Sequence, residues 1–211
     1  MLMQIVLFEG FDPLDVIAPF EVLATGADLA GRPQDEVRLV AADGPGEVTG
    51  ATRGLGLRAA AALDPAAPGY VIVPGAGGAV AQIPAILGRV AQSALIPQVR
   101  AALDAPGVTV AAVCGGSLAL ALAGLLRGRP AVTHTLGMDA LAATGARPVR
   151  ARVVDDGDLV TAGGVTSGLD LGLHLVEREY GPRVAVAVQE LFEYERRGTA
   201  WRDAGAEPVG A

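Results

Sequence analysis

At 211 residues and 51% hydrophobic content, the chain suffices for one sizeable core and is short for two, so one domain over residues 1–197 with a flexible tail over 198–211 is expected. A net charge of −7 argues against a nucleic-acid partner, because surfaces that track phosphates concentrate basic residues. No apolar run approaches the ~20 residues of a membrane span. The one cysteine excludes a disulfide framework, and it shows no zinc-ligand spacing with His134 or His174. A cytoplasmic chain with neither signal peptide, metal nor cofactor is the expectation.

Taken in order, residues 3–8 read as a buried strand ending at Glu9-Gly10. A helix then starts with Asp12 as N-cap, Pro13 at its first position and Asp15 three residues after the cap. It runs to Ala24, and Pro19 is expected to kink or shorten it. Residues 37–42 form a second strand, and the turn-rich stretch 44–56 suits a short hairpin. A third buried strand, 70–73, ends at the glycine-rich loop 74–78. Helix-compatible residues 79–103 follow, interrupted by Pro84 and Pro97.

Residues 108–113 are an apolar β-rich run that stops at Cys114, where Gly115 and Gly116 break the direction before an apolar helix from Ser117. After a loop at 124–130, a strand-like 131–134 and a small helix at 138–143 come next. Residues 149–154 and 159–162 flank Asp155-Asp156-Gly157-Asp158 as a hairpin. Ser167, with Asp170 three positions on, has the form of a capped helix start, and that helix runs to Tyr180 before Gly181-Pro182. A last helix covers 183–196. Strands alternating with helices imply an α/β fold with a mostly parallel sheet covered on both faces.

Chemistry in such a sheet gathers at the carboxyl ends of the strands, where the first loop, the loop 74–78 and Cys114 converge. A helix starting beside Cys114 aims free N–H groups at the sulfur, which lowers a thiol pKa and suits a nucleophile. Gly115 supplies one N–H for developing charge, Gly75 or Ala76 a second, and Asp15 a proton-handling carboxyl. Each residue has a second reading: Cys114 as a buried small hydrophobe, Asp15 as a capping acid, 74–78 as a plain turn and His134 as a core or interface histidine.

Residues 7–23, Val73-Pro-Gly-Ala-Gly-Gly78, Ala112-Val-Cys-Gly-Gly-Ser117, Val132-Thr-His134 and Thr161-Ala-Gly-Gly-Val-Thr-Ser-Gly-Leu-Asp170 together resemble the ThiJ/PfpI superfamily. The resemblance implies a flavodoxin-like α/β sandwich, a homodimer, a nucleophile elbow at Cys114 met by the acid Asp15, and a small-molecule substrate. Within the superfamily the chain is most similar to isonitrile hydratases and to the amino-terminal domains of AraC-type regulators. On that likeness the site comprises Cys114, Asp15, Gly75, Ala76, Gly115, Thr133 and His134. The expected activity is cysteine-dependent hydration of an isonitrile, and the alternative is a ligand-binding or redox-sensing module. The chain carries Cys114-Gly115-Gly116-Ser117 and Thr133-His134-Thr135 where isonitrile hydratases show Cys-Thr-Gly-Ser and Thr-His-Trp. With Ala211 as the last residue, no helix-turn-helix segment is expected to follow.

Overall fold

The structure, a computed structural model, describes residues 1–203. Its strands are β1 (Leu2–Leu7), β2 (Glu36–Ala41), β3 (Gly46–Thr49), β4 (Gly56–Ala59), β5 (Ala61–Ala62), β6 (Gly69–Val73), β7 (Val108–Val113), β8 (Pro130–Ala131), β9 (Arg147–Pro148), β10 (Val153–Asp155), β11 (Leu159–Ala162) and β12 (Trp201–Arg202). The helices are α1 (Pro13–Leu29), α2 (Ile83–Val90), α3 (Leu95–Asp104), α4 (Gly115–Leu122), α5 (Met138–Ala143), α6 (Ser167–Tyr180) and α7 (Pro182–Leu191). The main sheet has the order β12-β10-β11-β7-β6-β1-β2-β5. It is parallel from β11 to β5, whereas β10 runs antiparallel to β11 and carries β12 parallel to itself. Among the described residues no helix is long and apolar enough to cross a membrane.

Period-two alternation along the central strands divides the core in two. Val6, Val71, Val73, Val110 and Ala112 face α2, α3, α4 and α5. Met3, Ile5, Leu7, Ile72 and Val113 face α1, α6 and α7. Because both faces are covered, the strands are continuous apolar runs.

Helix α1 passes through Pro19 and continues five residues beyond the expected Ala24. A proline inside a helix costs about 3 kcal/mol, but burial of Val16, Val22 and Leu23 returns ~1.5–3 kcal/mol for each, so packing wins over local propensity. The α1–α6 contact is close enough to require glycines. A Cβ on Gly26 would lie 2.5 Å from Val176 Cγ2, and one on Gly172 would lie 2.8 Å from Val22 Cβ. Valine has little rotamer freedom to yield. Gly26→Ala should therefore lose about 1–3 kcal/mol of stability, read from denaturant unfolding; an unchanged midpoint would show that the helices can separate without cost.

Elsewhere the elements differ from expectation for identifiable reasons. Pro84 and Pro97 do not interrupt helices but lie in the first turns of α2 and α3, where their missing N–H is unneeded. The hairpin pairs β3 with β4, so its arms extend past 56. Of the strand expected at 149–154 only β10 forms, paired with β11 as the hairpin requires. Residues 130–131 pair with 147–148 outside the main sheet. Ser167 does not cap α6: Thr166 holds that position, and Asp170 accepts from Arg152 instead. Helix α7 stops at Leu191. The tail expected from 198 is ordered as far as β12, which pairs with Val154 and Asp155 while Arg202 bonds Asp155 Oδ2 at 2.9 Å. Its remainder, 204–211, lies outside the described residues.

Candidate active site

Cys114 follows strand β7 with φ 55° and ψ −127°, and α4 begins at the next residue rather than at Ser117. A non-glycine residue at positive φ costs on the order of 1–3 kcal/mol and persists only where its surroundings hold it. Here the Cys114 N–H is shared between Ala162 O at 3.0 Å and Gly163 O at 2.9 Å. The Cys114 carbonyl accepts from Thr133 Oγ1 at 2.7 Å, and Ser117 Oγ lies 3.0 Å from the same carbonyl and 2.6 Å from Val132 O. Gly116 lets α4 sit against the end of β6, since a Cβ there would lie 2.3 Å from Val73 O.

The turn after β1 delivers Asp15. Asp12 caps α1 by accepting Leu14 N–H at 3.0 Å, which leaves Asp15 free for a different task. Its side chain is fully buried; Oδ2 accepts Gly75 N–H at 2.9 Å, and Oδ1 has no hydrogen-bond partner among the described residues. The loop after β6 is tied to the first turn by Asp12 N–H on Gly75 O, by Gly77 N–H on Gly10 O and by a Phe11–Ala76 bridge. Gly75 sits where three parts meet. A Cβ on it would lie 2.7 Å from Asp15 Oδ2, 2.7 Å from Gly115 N and 3.0 Å from Cys114 Cβ.

Carboxyl and thiol titrate as neighbours. Burial pushes Asp15 well above the ordinary carboxyl range and the Asp12 charge adds to this, opposed by the bond from Gly75 N–H and by Cys114. The Cys114 thiol is pushed up to about 12, first by burial and then by Asp15, with the N–H groups of Val165 and Gly115 opposing. The expected lowering is thus corrected. The helix start does point an N–H at the sulfur, but desolvation and a facing carboxyl outweigh it. Together the two groups keep at least one proton at neutral pH.

The other expected site residues divide. The Gly75 N–H is taken by Asp15, and Ala76 is buried in its bridge. Thr133 is buried with its hydroxyl on the elbow carbonyl, so it braces Cys114. His134 is half-buried and accepts Leu136 N–H on Nδ1; its ring lies against Gly164, where a Cβ would be 2.2 Å from His134 Cδ2. A residue the sequence reading passed over, Val165, has a backbone N–H that favours the ionised sulfur. Its signal was the Gly163-Gly164 pair at the carboxyl end of β11. A Cβ at Gly115 would lie 2.9 Å from Leu87 Cδ1, so Leu87 fills that space. His174, read as structural, bonds Asp155 Oδ2 at 2.8 Å. Clefts of about 460 and 510 Å³ are lined by Tyr70 and Arg178 and by His174 and Arg202, and neither is lined by Cys114 or Asp15.

A strained cysteine between a buried carboxyl and two N–H donors at the rim of a flavodoxin-like sheet coincides with a family pattern: residues 2–178 match the model of the DJ-1/PfpI family. The chain belongs to the DJ-1/PfpI family. Within the family it is 48% identical over 85 residues to an isonitrile hydratase of Pseudomonas putida, a stretch that is 40% of this chain and 37% of that protein. It is 39% identical over 92 residues to the HTH-type transcriptional regulator CdhR of Pseudomonas aeruginosa, covering 43% of this chain and 27% of the regulator. In both cases less than half of the relative is matched. The DJ-1/PfpI fold superimposes on the crystal structure of a ThiJ/PfpI family protein from Pseudomonas syringae with a TM-score of 0.76 at 27% identity, covering 97% of this chain and 78% of that one.

Proposed function

We propose that this DJ-1/PfpI protein is a cysteine-dependent hydratase that converts an isonitrile and water to an N-substituted formamide. The observation that carries the proposal is Asp15. A fully buried carboxyl with one oxygen unpartnered is costly to the fold, and a proton-transfer task beside the only cysteine accounts for it. The partial match to an isonitrile hydratase supports the substrate class.

In the reaction Asp15 takes the thiol proton as the sulfur bonds to the terminal carbon of the isonitrile, then delivers that proton to the same carbon. The product is a thioimidate on Cys114. Asp15 next removes a proton from the water that attacks this carbon and passes it to nitrogen. The C–S bond then breaks with its electron pair on sulfur, the new hydroxyl loses its proton to the sulfur, and the formamide leaves. The N–H groups of Gly115 and Val165 stabilise negative charge on sulfur in the attacking and leaving steps.

Asp15→Asn should cut turnover by roughly 10²–10⁴-fold, the usual worth of a positioned acid–base group. It should also change the pH dependence of stability. Since the folded-state pKa of Asp15 is raised, its contribution is fully present below the unfolded value of about 4 and is lost as pH rises through the folded value. The thermal midpoint of the parent protein should therefore fall relative to Asp15→Asn as pH rises above about 4. Parallel curves would contradict the buried carboxyl.

The regulator match favours a second reading, a non-catalytic ligand-binding or redox-sensing module. The higher identity to the isonitrile hydratase and the buried carboxyl beside the cysteine rank the hydratase reading first. Intact mass after mild peroxide, beside a panel of isonitriles, separates the two: oxidation without turnover supports the sensor.

A further inference from the structure

Cys114 is gripped by the loop 163–166, which joins β11 to α6. Gly163 O accepts the Cys114 N–H at 2.9 Å, and the Val165 N–H two residues on favours the ionised form of the sulfur. Val165 does so at φ 44°, an unfavourable conformation for a β-branched residue, and such a turn needs support from outside itself. Both of its ends are held by one side chain and its own backbone. Arg152 O accepts Gly163 N–H at 3.0 Å, while the Arg152 guanidinium donates to Thr166 Oγ1 at 3.2 Å and, through Nε, to Asp170 Oδ2 at 2.9 Å. Asp170 is itself buried and anchored by Tyr194 OH at 3.0 Å and Arg197 N–H at 2.8 Å.

We propose that Arg152 is a positioning residue that sets the reactivity of Cys114 by bracing the loop 163–166. The inference rests on the reading of Cys114 as a reactive nucleophile, the part of the proposed hydratase that alkylation tests without turnover. Without the guanidinium, Thr166 and the first turn of α6 lose their tie, Val165 relaxes toward an ordinary φ, and its N–H leaves the sulfur. The ionised sulfur is then less well held, and ionisation moves to higher pH.

The test is the rate of Cys114 alkylation by iodoacetamide as a function of pH, read by intact mass, which is unambiguous with one cysteine in the chain. Arg152→Gln should alkylate about five-fold more slowly at a given pH, the worth of one ordinary hydrogen bond, with its profile displaced to higher pH. Arg152→Lys should fall between. Thr166→Val, which removes only the brace on an exposed residue, gives the same displacement should Arg152→Gln fail to fold. Arg129→Gln breaks a comparable ion pair, to Asp156 and Asp158, away from the loop, and should keep the parent profile. A folded Arg152 or Thr166 variant with the parent profile, or with faster alkylation, overturns the proposal. Parent protein that alkylates but hydrates no isonitrile removes the hydratase reading and leaves this one standing; turnover with an unmoved Arg152→Gln profile does the reverse.

Discussion

Cys114→Ala should reduce isonitrile hydration to the uncatalysed level, a loss on the order of 10⁶-fold, the scale for deleting a covalent nucleophile. No other cysteine exists to substitute for it, and neither Asp15 nor the N–H groups of Gly115 and Val165 offer a group that bonds to carbon. The fold should survive, because the elbow is held through the Cys114 backbone, by the Ala162 and Gly163 carbonyls and the Thr133 hydroxyl, rather than by the sulfur. Cys114→Gly makes a useful companion. Alanine keeps the strain at φ 55° whereas glycine relieves it, so the glycine variant should be about 1 kcal/mol more stable than the alanine variant and equally inactive. Formamide production followed by chromatography reads the activity, and measurable turnover in either variant would end the covalent mechanism.

Gly116→Ala should be the most damaging small change to the structure. Its Cβ would meet Val73 O at 2.3 Å, Pro74 O at 2.7 Å and Pro74 C at 3.0 Å. All three are backbone atoms and cannot rotate aside as a side chain would. The first turn of α4 must lift from the end of β6, carrying Cys114 away from the bonds that hold its conformation. A loss of more than ~3 kcal/mol is expected, beyond the usual range for overpacking, together with slower alkylation of Cys114. Gly88→Ala in α2 is the control: open space surrounds that position, and alanine should be neutral or gain about 0.5–1 kcal/mol. Urea unfolding of the two variants decides, and parent-like stability of Gly116→Ala would show that the elbow tolerates displacement.

Much of the site was legible one segment at a time. The run 108–113, the direction change at Gly115-Gly116 and the Asp12-Pro13 start of α1 are local signals, and each appears where expected to within two residues. Asp15 followed from convergence at the strand ends, a rule of topology. What failed had a common cause. The thiol was expected to be lowered because the helix start beside it is visible in the sequence, while the burial that outweighs it is contributed by segments far along the chain. Gly75 was expected to offer a free N–H, and the Asp15 carboxylate occupies it from 60 residues away. Thr133 and Val165 were assigned by motif or passed over, because their contacts to Cys114 cross 19 and 51 residues of chain.

The amino-acid sequence by itself determined the α/β class, the elbow and the first-helix carboxyl that meets it. These depend on apolar runs, turn chemistry and the order of strands and helices, all written in short stretches. Only the tertiary structure decided the length of α1 through Pro19, the docking of β12, the protonation balance of Cys114 with Asp15, and the bonds that tie Arg152 to the loop 163–166. Each of those is a competition between a local preference and desolvation or packing, and its outcome depends on which distant residues arrive at the same place.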